Sequence, residues 1–124
     1  MKLNLEHDAS LNLITGYGTD HLMINKLRHD GNVVVEATRI VPDWAPGGLT
    51  GLCAEDFAAV VELRPQVVLI GTGGRLRFPP AAVLRPLIDA RIGYEVMDLA
   101  AACRTYNVLV SEGRAVAAAL LFDR

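Results

Sequence analysis

A three-layer α/β fold around one mixed sheet is predicted for this chain of 124 residues. Three observations predict it. In the second half, apolar strand-like runs alternate with helix-period stretches, which is the pattern of βαβ units. Residues 99–110 carry a wide apolar stripe that must be covered by a neighbouring layer. Asp30-Gly31 stands between two strand-like runs, the signal of an antiparallel hairpin.

Residues 1–20 show few periodic signals, and Gly16-Tyr17-Gly18-Thr19-Asp20 reads as irregular chain. A loosely structured N-terminal segment is therefore expected. Residues 21–27 read as a strand, with Leu22 and Ile24 alternating against Met23 and Asn25. Arg28-His29-Asp30-Gly31-Asn32 is the turn. Val33-Val34-Val35, β-branched throughout, is the returning strand, and Arg39-Ile40-Val41 extends it after a bend. Residues 42–51 hold Pro42, Pro46, Gly47, Gly48 and Gly51, which forbid a regular element. Residues 54–63 read as a short helix with Phe57, Val60 and Val61 on one face, and Pro65 stops it.

Val67-Val68-Leu69-Ile70 is a continuous apolar run, as a strand covered on both faces requires. Gly71-Thr72-Gly73-Gly74 turns the chain. Pro79-Pro80 can open a helix to about residue 90, closed by Gly93; Pro86 inside it should kink it or shift its start. Residues 94–97 form the next strand. Asp98 is an N-cap for a helix carrying Leu99, Ala102, Cys103, Tyr106, Leu109 and Val110 on one face, and Gly113 closes it. Residues 115–122 supply the last strand. All 124 residues are read as one domain, an N-terminal hairpin followed by alternating helices and strands.

Charge and composition narrow the function classes. Twelve basic and fourteen acidic residues leave a net charge of -2, and there is no polybasic run. Nothing attracts nucleic acid or an anionic membrane surface. The longest apolar run, residues 115–122, falls far short of the roughly 20 residues that span a bilayer. The N-terminus lacks the long apolar stretch of a signal peptide. Cys53 and Cys103 read as reduced thiols, so a soluble, cytoplasmic protein is expected.

Four stretches of the second half resemble one family: Val68-Leu69-Ile70-Gly71-Thr72-Gly73, Gly93-Tyr94-Glu95-Val96-Met97, Thr105-Tyr106-Asn107, and Glu112-Gly113-Arg114 running into Ala115-Val116-Ala117-Ala118-Ala119-Leu120. It is a domain family of unknown function that includes the mitochondrial complex I assembly factor 3. The likeness covers roughly residues 20–122. Leu99 departs from the pattern, which leads to a threonine after Met97-Asp98. The resemblance implies a three-layer α/β fold with a mixed sheet and a protein partner during respiratory complex assembly. It brings no catalytic residues and no cofactor.

The residues themselves offer one site candidate. Gly71, Thr72, Gly73 and Gly74 follow a buried strand, and ligands of open α/β sheets favour strand carboxyl ends. The glycines leave backbone N–H groups accessible, and Arg75 and Arg77 could pair with a small anion. The other reading is a tight turn with solvated arginines. The loop matches neither a Walker sequence nor the dinucleotide fingerprint. No Gly-x-Ser-x-Gly elbow surrounds Ser10 or Ser111. His7, His21 and His29 lack metal-ligand spacing with the cysteines. Asp43, Glu95 and Asp98 could serve as acids or bases, with Asp98 better explained as a cap. Trp44, alone in the Pro/Gly loop, is either a lid over the core or an exposed anchor for a protein partner. A non-enzymatic interaction or assembly module is the leading expectation. A small-ligand protein or minor enzyme using residues 71–77 is the alternative.

Overall fold

The structure, a computed structural model, describes residues 11–122. Its strands are β1 (Ile14–Tyr17), β2 (His21–Ile24), β3 (Leu27–Asp30), β4 (Val33–Glu36), β5 (Ile40–Val41), β6 (Val67–Thr72), β7 (Gly93–Met97) and β8 (Val116–Leu121). A 3-10 turn (Ala54–Phe57) leads into α1 (Ala58–Glu62); α2 is Arg85–Asp89 and α3 is Leu99–Ser111. Five strands form a mixed sheet in the order β5-β4-β8-β6-β7, parallel between β8, β6 and β7 and antiparallel elsewhere. β1, β2 and β3 form a separate antiparallel sheet.

Strand β8 explains the layering. Every residue of it is buried, because both faces are covered. Val116, Ala118 and Leu120 join one core with α3 and the small sheet. Ala117, Ala119 and Leu121 join a second core under Trp44, the 3-10 turn and α2. That is the three-layer mixed fold the alternating pattern predicts. The apolar stripe of α3 faces the first core: Leu99, Ala102, Cys103, Tyr106 and Val110 are buried, whereas Leu109 is only partly buried. The Asp98 carboxylate accepts from the Ala101 N–H at 2.8 Å, the expected cap.

Side-chain amides fasten the small sheet. The Asn107 amide donates to the Ile14 carbonyl at 2.8 Å, and its carbonyl accepts from the Ile14 N–H at 2.9 Å. The Tyr106 hydroxyl donates to the Asn12 carbonyl at 2.7 Å. Neighbouring residues of α3 thus hold a segment more than 90 positions away in sequence.

Three local expectations change. Residues 14–17, placed in an irregular segment, are strand β1. The hairpin closes at Asn25-Lys26, both at positive φ (50° and 71°), as a two-residue β-hairpin turn demands. Asp30-Gly31-Asn32 instead switches the chain between sheets. Gly31 (φ 84°) permits the sharp change, and the Asn32 side chain fixes it by donating to the Ala45 carbonyl and accepting from the Phe122 N–H. Pro79 and Pro80 remain outside a helix; α2 begins only at Arg85-Pro86, so Pro86 sets the start.

Candidate functional site

Residues 71–77 divide between the end of β6 and the loop that follows it. Gly71 lies inside β6, where a Cβ would come within 2.9 Å of the Leu120 side chain and 3.1 Å of the Ala102 Cβ. Its role is the close packing of α3 on the sheet. Thr72 is buried, and its hydroxyl is spent within the loop. It lies 2.7 Å from the Arg75 carbonyl and 3.2 Å from the Met97 carbonyl, and it accepts from the Arg77 N–H at 3.1 Å. Gly73 (φ 81°) turns its carbonyl to the Leu99 N–H at 2.7 Å. The loop therefore presents an acceptor to the start of α3.

Gly73 and Gly74 do border a cleft of about 340 Å³, with Tyr17, Thr19, Asp98 and Ala100 among its other walls. Arg75 and Arg77 are exposed and do not line it. Of the residues expected at an anion site, Gly73 and Gly74 line the cleft, whereas Gly71, Thr72, Arg75 and Arg77 do not. The charged group at the cleft wall is the Asp98 carboxylate, which already caps α3. An anion there would face a negative charge, with two of the helix's first N–H groups already bonded.

Trp44 is the lid of the second core, only 4% exposed. Its indole N–H donates to the Asp56 carbonyl at 2.6 Å, and its ring meets Phe57 edge-on at 5.5 Å. Of the two readings of Trp44, the fold takes the lid over the core and not the exposed anchor. The loop reaches this geometry by placing Asp43 and Ala45 at positive φ on either side. A shallow hollow of about 240 Å³ opens beside it, between Asn32, Asp43 and Pro46.

The remaining candidates are dispersed. Cys103 is buried, and desolvation pushes its thiol up to about 12, which makes it inert. Cys53 is exposed, and the hydrogen bond to the Asp56 side chain raises its thiol above the ordinary range. Burial, aided by Glu36, likewise raises the Tyr106 phenol. His21 pairs with Asp20 at 3.0 Å, and this bond lowers the Asp20 carboxyl. Asp43 and Glu95 are exposed, and Ser111 ends α3. His7 and Ser10 lie outside the described residues. Among the described residues no three His, Cys, Asp or Glu side chains gather as metal ligands, and no helix is long and apolar enough to cross a membrane.

The polar groups that the sequence reading missed are Asn12, Asn32 and Asn107, which bond backbone across elements. Only Asn107 had a signal, as part of Thr105-Tyr106-Asn107.

A family described as "Protein of unknown function (DUF498/DUF598)" matches residues 14–121. A Homo sapiens protein named NADH dehydrogenase (ubiquinone) 1 alpha subcomplex assembly factor 3 is 32% identical over 114 residues. That match covers 87% of this chain, which spans 59% of the relative's length. An uncharacterized protein from Rhodobacter capsulatus is 37% identical over 110 residues, covering 87% of this chain and 82% of that protein. The crystal structure of a protein from Bordetella parapertussis superposes with a TM-score of 0.83 at 35% identity, covering 92% of this chain and 98% of that one.

Proposed function

This chain belongs to the DUF498/DUF598 family of proteins of unknown function, and from that premise we propose that it is a non-enzymatic module that binds protein partners during assembly of a larger complex. The observation that carries the reading is the 32% identity, over 87% of this chain, to a protein named an assembly factor. The site geometry supports it. The hydroxyl of Thr72 and the carbonyl of Gly73 are taken up in internal bonds, and Arg75 and Arg77 do not line the cleft. Two free thiols fit work in a reducing compartment such as the cytoplasm.

The test is genetic and biochemical. In the native cell, the gene is deleted and the assembly intermediates of the NADH dehydrogenase are resolved on native gels. Stalled intermediates that disappear when the intact chain is restored are expected. An unchanged ladder overturns the reading.

The second reading is a small-ligand or anion site, or a minor enzyme, using residues 71–77. The cleft of about 340 Å³ beside Gly73 and Gly74 favours it. Titration with phosphate, sulfate and nucleotides, followed by backbone amide shifts, decides it. Saturable shifts at residues 71–77 support a site; none at millimolar concentration removes it.

A further inference from the structure

Strand β7 borders the five-stranded sheet, and among the described residues no other strand covers it. The Gly93 N–H faces β6, donating to the Gln66 carbonyl at 3.1 Å. In a parallel ladder the N–H and C=O of one residue point the same way and alternate along the strand. The N–H and C=O of Tyr94 and Val96 therefore aim outward. Natural sheets blunt such borders with proline, lysine, a bulge or a very short strand. The opposite border, β5, is two residues long. Gly93-Tyr94-Glu95-Val96-Met97 has no proline, lysine or bulge, Glu95 is its one charged residue, and its ladder with β6 runs without a register shift.

The surroundings of this border are apolar and cationic. Tyr94 is 36% exposed, Ile88 on α2 is 42%, and Leu76 and Phe78 in the loop after β6 are 51% and 74%. The loop sits at the C-terminal end of β7, because the Thr72 hydroxyl lies within hydrogen-bond distance of both the Arg75 and Met97 carbonyls. Arg75 and Arg77 thus mark one end of the border. Arg91 lies just before β7 and shares a hollow of about 590 Å³ with Arg64, marking the other end. None of these four arginines makes an ion pair among the described residues, whereas Arg28, Arg39 and Arg85 do. Glu95 is the single carboxylate on the strand. The four arginines at the two ends of this border outnumber Glu95 on the strand, Asp89 on α2 being paired with Arg85.

We propose that the β7 border docks an extended acidic segment of a protein partner, which adds to the sheet as its next strand. Main-chain bonds to Tyr94 and Val96 would give the pairing, and the arginines at both ends select negative charge. A second copy of this chain is the poorer occupant. Antiparallel pairing of two β7 strands brings Arg64 and Arg91 of one copy toward Arg75 and Arg77 of the other, like charge against like.

The inference rests on the protein-interaction reading and is tested apart from it, with the purified full chain and a defined probe. The probe is a short synthetic peptide of alternating glutamate and valine with blocked ends. Expected are amide shifts centred on residues 93–97, slowed exchange at the Tyr94 and Val96 amides, and binding that weakens severalfold as salt rises. A lysine-valine peptide and a backbone N-methylated glutamate-valine peptide should bind at least about tenfold more weakly. Tyr94→Pro removes an outward N–H and no ladder bond, so it should abolish binding while the fold persists. The triple variant Arg75→Gln/Arg77→Gln/Arg91→Gln should lower affinity about tenfold. Absence of shifts at millimolar peptide, equal binding of the N-methylated peptide, or a dimer in solution that Tyr94→Pro dissolves would overturn the proposal. If gene deletion stalls assembly while the peptide fails, the module keeps its role and only this surface is lost.

Discussion

Ile14 on β1 and Tyr94 on β7 both stand at the border of a sheet, and the fold treats them differently. Asn107 takes both main-chain groups of Ile14, so a helix side chain stands in for a neighbouring strand. Among the described residues the main-chain groups of Tyr94 have no such substitute, and the strand ends are flanked by arginines. One amide on α3 is enough to close a border. The difference teaches that this fold can close a sheet border with a single side-chain amide, a device β7 is not given among the described residues.

The comparison is broken most severely at Tyr106. It is fully buried and holds Asn12, so Tyr106→Ala should cost about 3–5 kcal/mol in denaturant melts. Tyr106→Phe, which loses only the hydroxyl, should cost about 1–2 kcal/mol. Equal losses for the two would mean that the bond, not the ring, anchors β1. Asn107→Ala comes next. It strands two partly buried backbone groups of Ile14, and about 2–3 kcal/mol should be lost. Hydrogen exchange should quicken in β1 and β2 before it quickens in β6 and β8. Uniform quickening would show that the two sheets open together.

Alkaline titration sharpens the same contrast. Cys103 is raised from 9.0 to about 12 by burial, and Tyr106 is raised by burial and then by Glu36. Both are acids whose folded pKa lies above the unfolded one, so the folded state holds its protons longer. Their contribution is complete below about pH 9 and is lost as pH climbs toward 12, at roughly 1.4 kcal/mol per pH unit for each proton. Cys103→Ala should flatten the early part of that decline in melts followed against pH. An unchanged slope would assign the loss to other groups. The smallest effect belongs to the open border: Tyr94→Pro should change stability by less than about 1 kcal/mol, since no ladder bond is removed. A larger loss would mean that the Tyr94 N–H is used inside the molecule.

The second half of the fold was legible because its periodicity is local. Val67-Val68-Leu69-Ile70, the stripe from Leu99 to Val110 and the Asp98 cap each carry their signal within a few residues. The first half was less legible for a physical reason. β1 depends on Asn107, far along the chain; Ile14, Thr15 and Tyr17 are strand formers, but Gly16 and Gly18 interrupt a run of only four residues. The hairpin turn uses Lys26 at positive φ, which turn chemistry does not favour, while Asp30-Gly31 displays the favoured pair without making a hairpin. At the site, Gly71 and Thr72 are the last two residues of the buried strand itself, and only Gly73 and Gly74 follow it. The destination of the Thr72 hydroxyl and the separation of Arg75 and Arg77 from the cleft are tertiary facts that spacing does not encode. Trp44 was placed in the right loop, and only the fold chose the lid.

Strand order carries a consequence for synthesis. β8 is the latest of the described strands in sequence and the middle one in the large sheet, between β4 and β6. As the polypeptide leaves the ribosome, β4 and β6 emerge with an empty slot between them, and Ala117-Ala118-Ala119 is the insert that fills it. Neither apolar core can be sealed before residue 121 has cleared the exit tunnel. Until then the valines of β4 and β6 form sticky half-sheets, exposed to mispairing and to chaperones. The nascent chain must therefore wait for nearly its whole described length before it can commit to the native topology.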